Sequence, residues 1–191
     1  MRAEIPLAKS SLLLNHGPTV LVSSAHQGQT NVMAMAWCMA LDFEPPRVAA
    51  VIETESHTRA LVEASGELVV NIPTVAQVKQ LYAAGRLSGK SVPDKIAKLG
   101  LKTAPAKVVG APLIEGCVGW LECKVVPEAR MQEHYDLFIL EVVAAWTDTA
   151  LWDGSTFTFA TPEQRTLHHA SKGQFFATGE PVRVVTGLNR G

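Results

Sequence analysis

Ser56, His57 and Thr58 stand together in "VAAVIETESHTRAL", where a short apolar run meets a helix-like pattern. A helix N-terminus presents unpaired N–H groups and the positive end of its dipole, and hydroxyls there add further donors. The turn is therefore either an anion site or ordinary helix capping. Arg59 comes next in the first turn, where a cation opposes the dipole unless an anion lies nearby. A second candidate is Lys90 in "GRLSGKS", Gly85 to Ser91. A phosphate loop needs four residues between its first glycine and Gly-Lys-Ser/Thr. Here only Arg86, Leu87 and Ser88 intervene, the preceding segment reads as helix, and Pro93 interrupts the helix that such a loop must open. Nucleoside triphosphate binding of that kind is excluded, and Lys90 is either an anion contact or a solvated loop lysine.

The six histidines are His16, His26, His57, His134, His168 and His169. None shows HxxxH or HExxH spacing, and an adjacent pair cannot easily serve one metal, so no metal site is expected. His134, beside Tyr135 and Asp136, is either a polar group over a pocket or an exposed loop residue. No Gly-x-Ser-x-Gly elbow exists. Cys38 lies in an apolar run and reads as an inert buried thiol. The three cysteines form no CxxC pattern, which argues against a disulfide framework.

These groups need elements to hold them. In "TNVMAMAWCMALDFEPP" the positions from Asn31 to Met39 alternate: Asn, Met, Met, Trp, Met against Val, Ala, Ala, Cys, Ala. That period of two predicts a single strand despite the helix propensity of Met and Ala. Small residues on one side let a flat group or a neighbouring strand approach, or fit the taper of a barrel interior. Met33, Met35, Trp37 and Met39 would pack on the other side. Further strands are expected over Thr19–Ala25, Val48–Glu53, "ELVVNIP", "CVGWLECKVVPE" and "DLFILEVVAAWTD". Helices are expected after a cap at Ser56 or Thr58, from Thr74 to a stop at Gly85, and over "DKIAKLGL". "ARMQEHY" reads as a polar connection and "LHHASKGQFFATGEP" as loop. Strands outnumber helices and do not alternate with them, which predicts a closed antiparallel barrel with short helices over its ends.

The chain has 191 residues, 47% hydrophobic and 18% charged, with a formal net charge of −1. Without a basic block, neither nucleic acid nor an anionic membrane surface is an expected partner. "MRAEIPLAKS" has no apolar signal core, and the longest apolar run is too short to span a bilayer. The expectation is a soluble, cytoplasmic protein of one domain, 1–191.

In order and spacing, "TNVMAMAWCMALDFEPPRVAAVIETESHT", "SGELVVNIP", "LSGKSVPDKIAKLGL", "HYDLFILEVVAAW" and "LHHASKGQFFATGE" resemble the flavin reductase-like, FMN-binding split-barrel family and its flavoredoxin-like branch. The resemblance runs from about Thr19 to Glu180. It implies a mainly β fold, a six-stranded Greek-key split β-barrel with short helices capping it, working as a homodimer with FMN near the subunit interface. It implies that Asn31, Val32, Met33 and Ala34 border the isoalloxazine and that Trp37 shapes the same pocket. Thr54, Ser56, His57 and Thr58 would form the ribityl and phosphate end, with Lys90 meeting flavin or its phosphate. His134 and Phe175 or Phe176 would cover the flavin. "EHYD" departs from the "GDH" of the free-flavin reductases, so no nicotinamide-binding histidine is carried over. The implied function is an NAD(P)H:flavin oxidoreductase that passes electrons to oxygen, a monooxygenase or another partner. The alternative is a flavoredoxin-type carrier that holds FMN and is reduced by a protein. Flavin chemistry needs no protein acid–base pair, and none is expected here. No Gly-x-Gly-x-x-Gly fingerprint is present, so a dinucleotide would lie in an open groove.

Overall fold

β1 (Val20–His26) and β2 (Gln29–Met35) form a hairpin around Gln27 and Gly28, both at positive φ. The structure, a computed structural model, describes residues 5–14 and 17–182; His16 lies outside them. β3 (Cys38–Phe43) and β4 (Pro46–Val51) make a second hairpin, followed by α1 (His57–Ser65) and β5 (Glu67–Ile72). Ser56 caps α1 by accepting from Arg59 N, and Gly66 ends it at φ 71, where a side chain would be strained. Thr74 and Gln77 close a capping box around a 3₁₀ turn that runs into α2 (Val78–Arg86). The four-residue α3 (Lys95–Lys98) and the short β6 (Thr103–Ala104) and β7 (Leu113–Ile114) precede the long pair β8 (Gly119–Val126) and β9 (Leu137–Thr147).

The main sheet runs β2-β1-β5-β8-β9-β4-β3, and its ladders are antiparallel. Its two edge strands are consecutive in the chain, separated only by Ala36 and Trp37. The sheet must therefore curl until its edges meet at that corner. Side chains from all seven strands converge on one core: Val20 and Val22, Met35, Cys38, Val48 and Ala50, Leu68 and Val70, Cys123, Phe138 and Leu140. This is a split barrel rather than the closed one expected, since no ladder joins β2 to β3 among the described residues. The outer face of β1 and β2 carries a second core, where Leu21 and Val32 meet Leu81 and Ala84 of α2.

The corner overturns the reading of Asn31 to Met39 as one strand. Met33 and Met35 point into the barrel core, but three positions on it is Cys38 that is buried there. Trp37 and Met39 are exposed, 57% and 60%, and so do not pack as filling. The two-residue break reverses the inward register. The outward small residue Ala34 has a different reason: a Cβ on Gly85 would sit 3.4 Å from its Cβ, so α2 lies close on this strand. Gly85 is accordingly a packing glycine, and the helix continues to Arg86 rather than stopping there. Two connections also prove ordered. "ARMQEHY" is a helix, α4 (Ala129–Tyr135), ended by Asp136 at φ 54, and the C-terminal segment forms the hairpin β10 (Leu167–Ser171) and β11 (Gln174–Ala177).

Candidate functional site

A cleft of about 640 Å³ opens between the β2–β3 corner, the N-terminus of α1 and the chain leaving α2. That size lies within the usual range for small-molecule sites, roughly 300–1,000 Å³. Asn31 is its best-defined polar group. It is buried, its Nδ2 donates to Thr58 Oγ1 at 2.8 Å, and its Oδ1 has no protein partner. A buried acceptor left alone costs about 1–3 kcal/mol, so a donor supplied by a ligand would relieve it. Thr58, accepting from Asn31, still has its own O–H to give. Gly89 closes against Asn31 and His57: a Cβ there would stand 2.5 Å from both Asn31 Oδ1 and His57 Cδ2. Only glycine lets the loop come that near.

Lys95 lines the same cleft although it begins a helix in a lysine-rich segment. It is 2% exposed, and its Nζ donates to Ala84 O at 2.7 Å. Burial pushes its pKa down to about 8. No carboxylate forms an ion pair with it among the described residues.

Arg59 is the opposite case. Its guanidinium pairs with Asp136 and, at 2.7 Å, with Glu63. It also donates to Ile52 O, Thr54 Oγ1 and Gln132 O, and it lies over the Phe138 ring at 5.2 Å. Burial works against its charge, but Glu63 and Asp136 more than offset that and raise its pKa. The anion that the helix-dipole argument called for is thus Asp136, from 77 residues further on, and not a ligand. The Thr54 hydroxyl donates to Asp136 Oδ1 at 2.7 Å, and this bond, with the Arg59 pair, holds the Asp136 carboxyl below its usual range.

Of the residues singled out from sequence, Asn31, Met33, Ala34, Trp37, Ser56, His57 and Thr58 line the cleft. Five do not. Val32 is fully buried with its side chain in the outer core. Thr54 is taken up by the Arg59–Asp136 clamp. Lys90 comes directly after the cleft-lining Gly89 but turns to Glu55, 3.9 Å away, with both side chains largely exposed. His134 lies exposed in the last turn of α4, while its neighbours Tyr135 and Asp136 reach the cleft. Phe175 lines an adjoining recess, and Phe176 is 56% exposed. Sequence reasoning missed Lys95, the wall from Arg86 to Gly89, and Tyr135 and Asp136. The only signal for Lys95 was its place beside Ile96 and Leu99, which pack on the outer core. Among the described residues no group of three or more His, Cys, Asp or Glu could hold a metal, and no helix is long and apolar enough to cross a membrane.

Known proteins share this architecture. A crystal structure of an FMN-binding domain of a flavin reductases-like enzyme from Shewanella baltica OS155 superposes with a TM-score of 0.86 at 42% identity, covering 96% of this chain and 97% of that one. The Escherichia coli (strain K12) protein YddH is 39% identical over 181 residues, 93% of this chain and 95% of its own. The reductase subunit HsaB of a Mycobacterium tuberculosis flavin-dependent monooxygenase is 31% identical over 135 residues, 68% of each chain. Residues 13–167 match the model of the flavin reductase like domain, and the chain belongs to that family.

Proposed function

We propose that the protein binds FMN in the cleft and acts as an NAD(P)H-dependent flavin reductase, handing electrons to oxygen or to a partner such as a monooxygenase. The observation that carries the reading is Asn31, a cleft-lining residue whose buried amide oxygen has no hydrogen-bond partner in the protein. FMN offers N–H and O–H donors for it, a planar ring for the small-residue floor at Ala34, Ala36 and Gly85, and an anion for the basic wall. The fit is chemical as well as volumetric.

When bound, FMN supplies hydride acceptance and the passing on of electrons. The chain supplies position. Asn31 and Thr58 give an acceptor and a donor at one place. The first-turn N–H groups of α1 and the Ser56 hydroxyl are donors for an anion, and Lys95 offers a cation already stripped of water. Met33 and Trp37 form apolar boundaries that exclude solvent from a bound ring. No acid or base is asked of the protein, since hydride transfer from a nicotinamide requires orientation more than proton movement. The reductase reading is supported by the family match and by HsaB, itself a reductase subunit. A homodimer is part of the same proposal. Met39, Leu41 and Phe43 succeed one another at every second position along the edge strand β3, with Trp37 just before it, all exposed, and Phe43 is 98% exposed. An uncovered apolar edge of this kind is an assembly surface or a liability.

The test is an absorption spectrum of the purified protein with FMN, repeated anaerobically with NADH and then NADPH. Rapid bleaching by either donor is the expected result. A bound flavin indifferent to both would replace the reductase with a carrier of the flavoredoxin type. Failure to bind FMN at all would overturn the reading.

A further inference from the structure

A second recess, of about 300 Å³, opens beside the cleft and shares Ala34, Met35, Ala36, Gly85 and Arg86 with it. Its wall has three features, and of the residues that carry them only Arg86 also lines the main cleft. The first is aromatic. Phe175 takes the edge of Tyr82 at 6.5 Å between centroids and 89°, and that of His169 at 5.2 Å and 60°. Rings so arranged leave faces and edges for a further planar group. The second is charge. Arg86 and Lys172 both line the recess, and neither forms an ion pair among the described residues. The third is an orphan. Thr19 is 5% exposed and lines the recess, and its Oγ1 is buried with no hydrogen-bond partner.

The fold holds these features in place. β10 and β11 are joined by Lys172 and Gly173 alone, at φ 49 and 79, the two-residue turn that suits the twist of a hairpin. A Cβ on Gly173 would lie 3.2 Å from Tyr82 Cε2, so the turn presses on that ring. Thr19 N donates to Leu167 O at 2.9 Å, which ties the start of β1 to the same hairpin.

We propose that this recess binds a single-ring aromatic anion, a carboxylate or phosphate ester, as a second ligand presented to the contents of the main cleft. The ring packs on Phe175 and Tyr82, the anion meets Arg86 and Lys172, and the Thr19 hydroxyl gives its hydrogen to a ligand oxygen. The role of this ligand beside a flavin rests on the proposed binding of FMN in the main cleft; its own binding does not.

The experiment is calorimetric titration of the protein with benzoate and with phenyl phosphate, done both FMN-loaded and flavin-free. Benzamide and cyclohexanecarboxylate are the comparisons lacking charge and aromatic ring respectively. At least one of the two anions binds, and both comparison compounds bind about tenfold or more weakly. The preferred anion identifies the head group. Arg86→Ala with Lys172→Ala, both at exposed positions, weakens that anion about tenfold or more while leaving benzamide unchanged. Thr19→Val, which keeps the shape, weakens it less. Absence of binding in both forms, equal binding of benzamide, or indifference to the double substitution would overturn the proposal. If FMN fails to bind, the flavin-free titration still decides the matter, so the two readings fail separately.

Discussion

Arg59 and Lys95 are two buried cations at opposite ends of the same problem. Arg59 sits behind the cleft, at the joint of α1, β4 and α4, and every direction of its guanidinium is met: two carboxylates, two carbonyls and a hydroxyl. Lys95 stands in the cleft wall with one carbonyl and no counter-charge among the described residues. Burial of a charge is tolerable only when its partners replace water. Where the protein supplies those partners itself, the cation fastens the fold. Where it withholds them, the charge stays costly until something else arrives. The difference separates a fastening from a binding group, although both residues would read as "buried and basic".

The contrast meets its hardest test at Arg59. Arg59→Met removes all of those interactions, leaving Asp136 with the Thr54 hydroxyl, and should lower stability by about 3 kcal/mol in chemical denaturation. A loss under about 1 kcal/mol would mean that the clamp holds nothing. Titration tests Lys95. Its pKa is about 8 folded against 10.5 as the ordinary value. The unfolded chain therefore holds more proton over that window, and stability of the flavin-free protein rises as pH goes from 8 to 10.5. The contribution is about 2 kcal/mol, read as the difference between the wild-type and Lys95→Met profiles; parallel profiles would refute the buried charge. FMN affinity should move the opposite way, falling as the amine loses its proton.

Lys95→Met carries the same point to neutral pH. Removing the charge relieves its burial but leaves Ala84 O without that donor, so the flavin-free protein should gain about 1–2 kcal/mol. FMN should meanwhile bind about tenfold or more weakly. A gain in stability with unchanged FMN binding would make Lys95 a mere defect of the core. The smallest effect is expected at the α1 cap. Ser56→Ala should cost about 1 kcal/mol of stability, as caps do. Combined with Thr58→Ala it should weaken FMN more than riboflavin; equal losses would move the phosphate away from this turn.

Much of the fold was legible because its signals are local. The Ser56 cap, the Gly66 stop, the Thr74 box and the apolar runs of β1, β4, β5, β8 and β9 all announce themselves within a few residues. The corner at Ala36 and Trp37 did not, because alternation in residue size continues across it while alternation in burial reverses. The hairpin β10–β11 was hidden by its polar composition. In the site, the hydroxyl turn could be found by chemistry alone, whereas Asn31 was reached only through the family resemblance. Lys95 was missed, since its apolar neighbours Ile96 and Leu99 are a weak sign that a lysine lies under α2 and not in solvent. So was the partner of Arg59, which arrives from the end of α4.

The loop at Gly89 has a consequence for the timing of binding. Its backbone closes on Asn31 and His57 with no room for even a methyl group. Gly89→Ala would therefore prop this side of the cleft ajar, and the Asn31 carbonyl oxygen would meet bulk water before it met any guest. Glycine here acts as a gasket: its lack of a side chain keeps a thirsty oxygen dry until the right donor comes to fill the place.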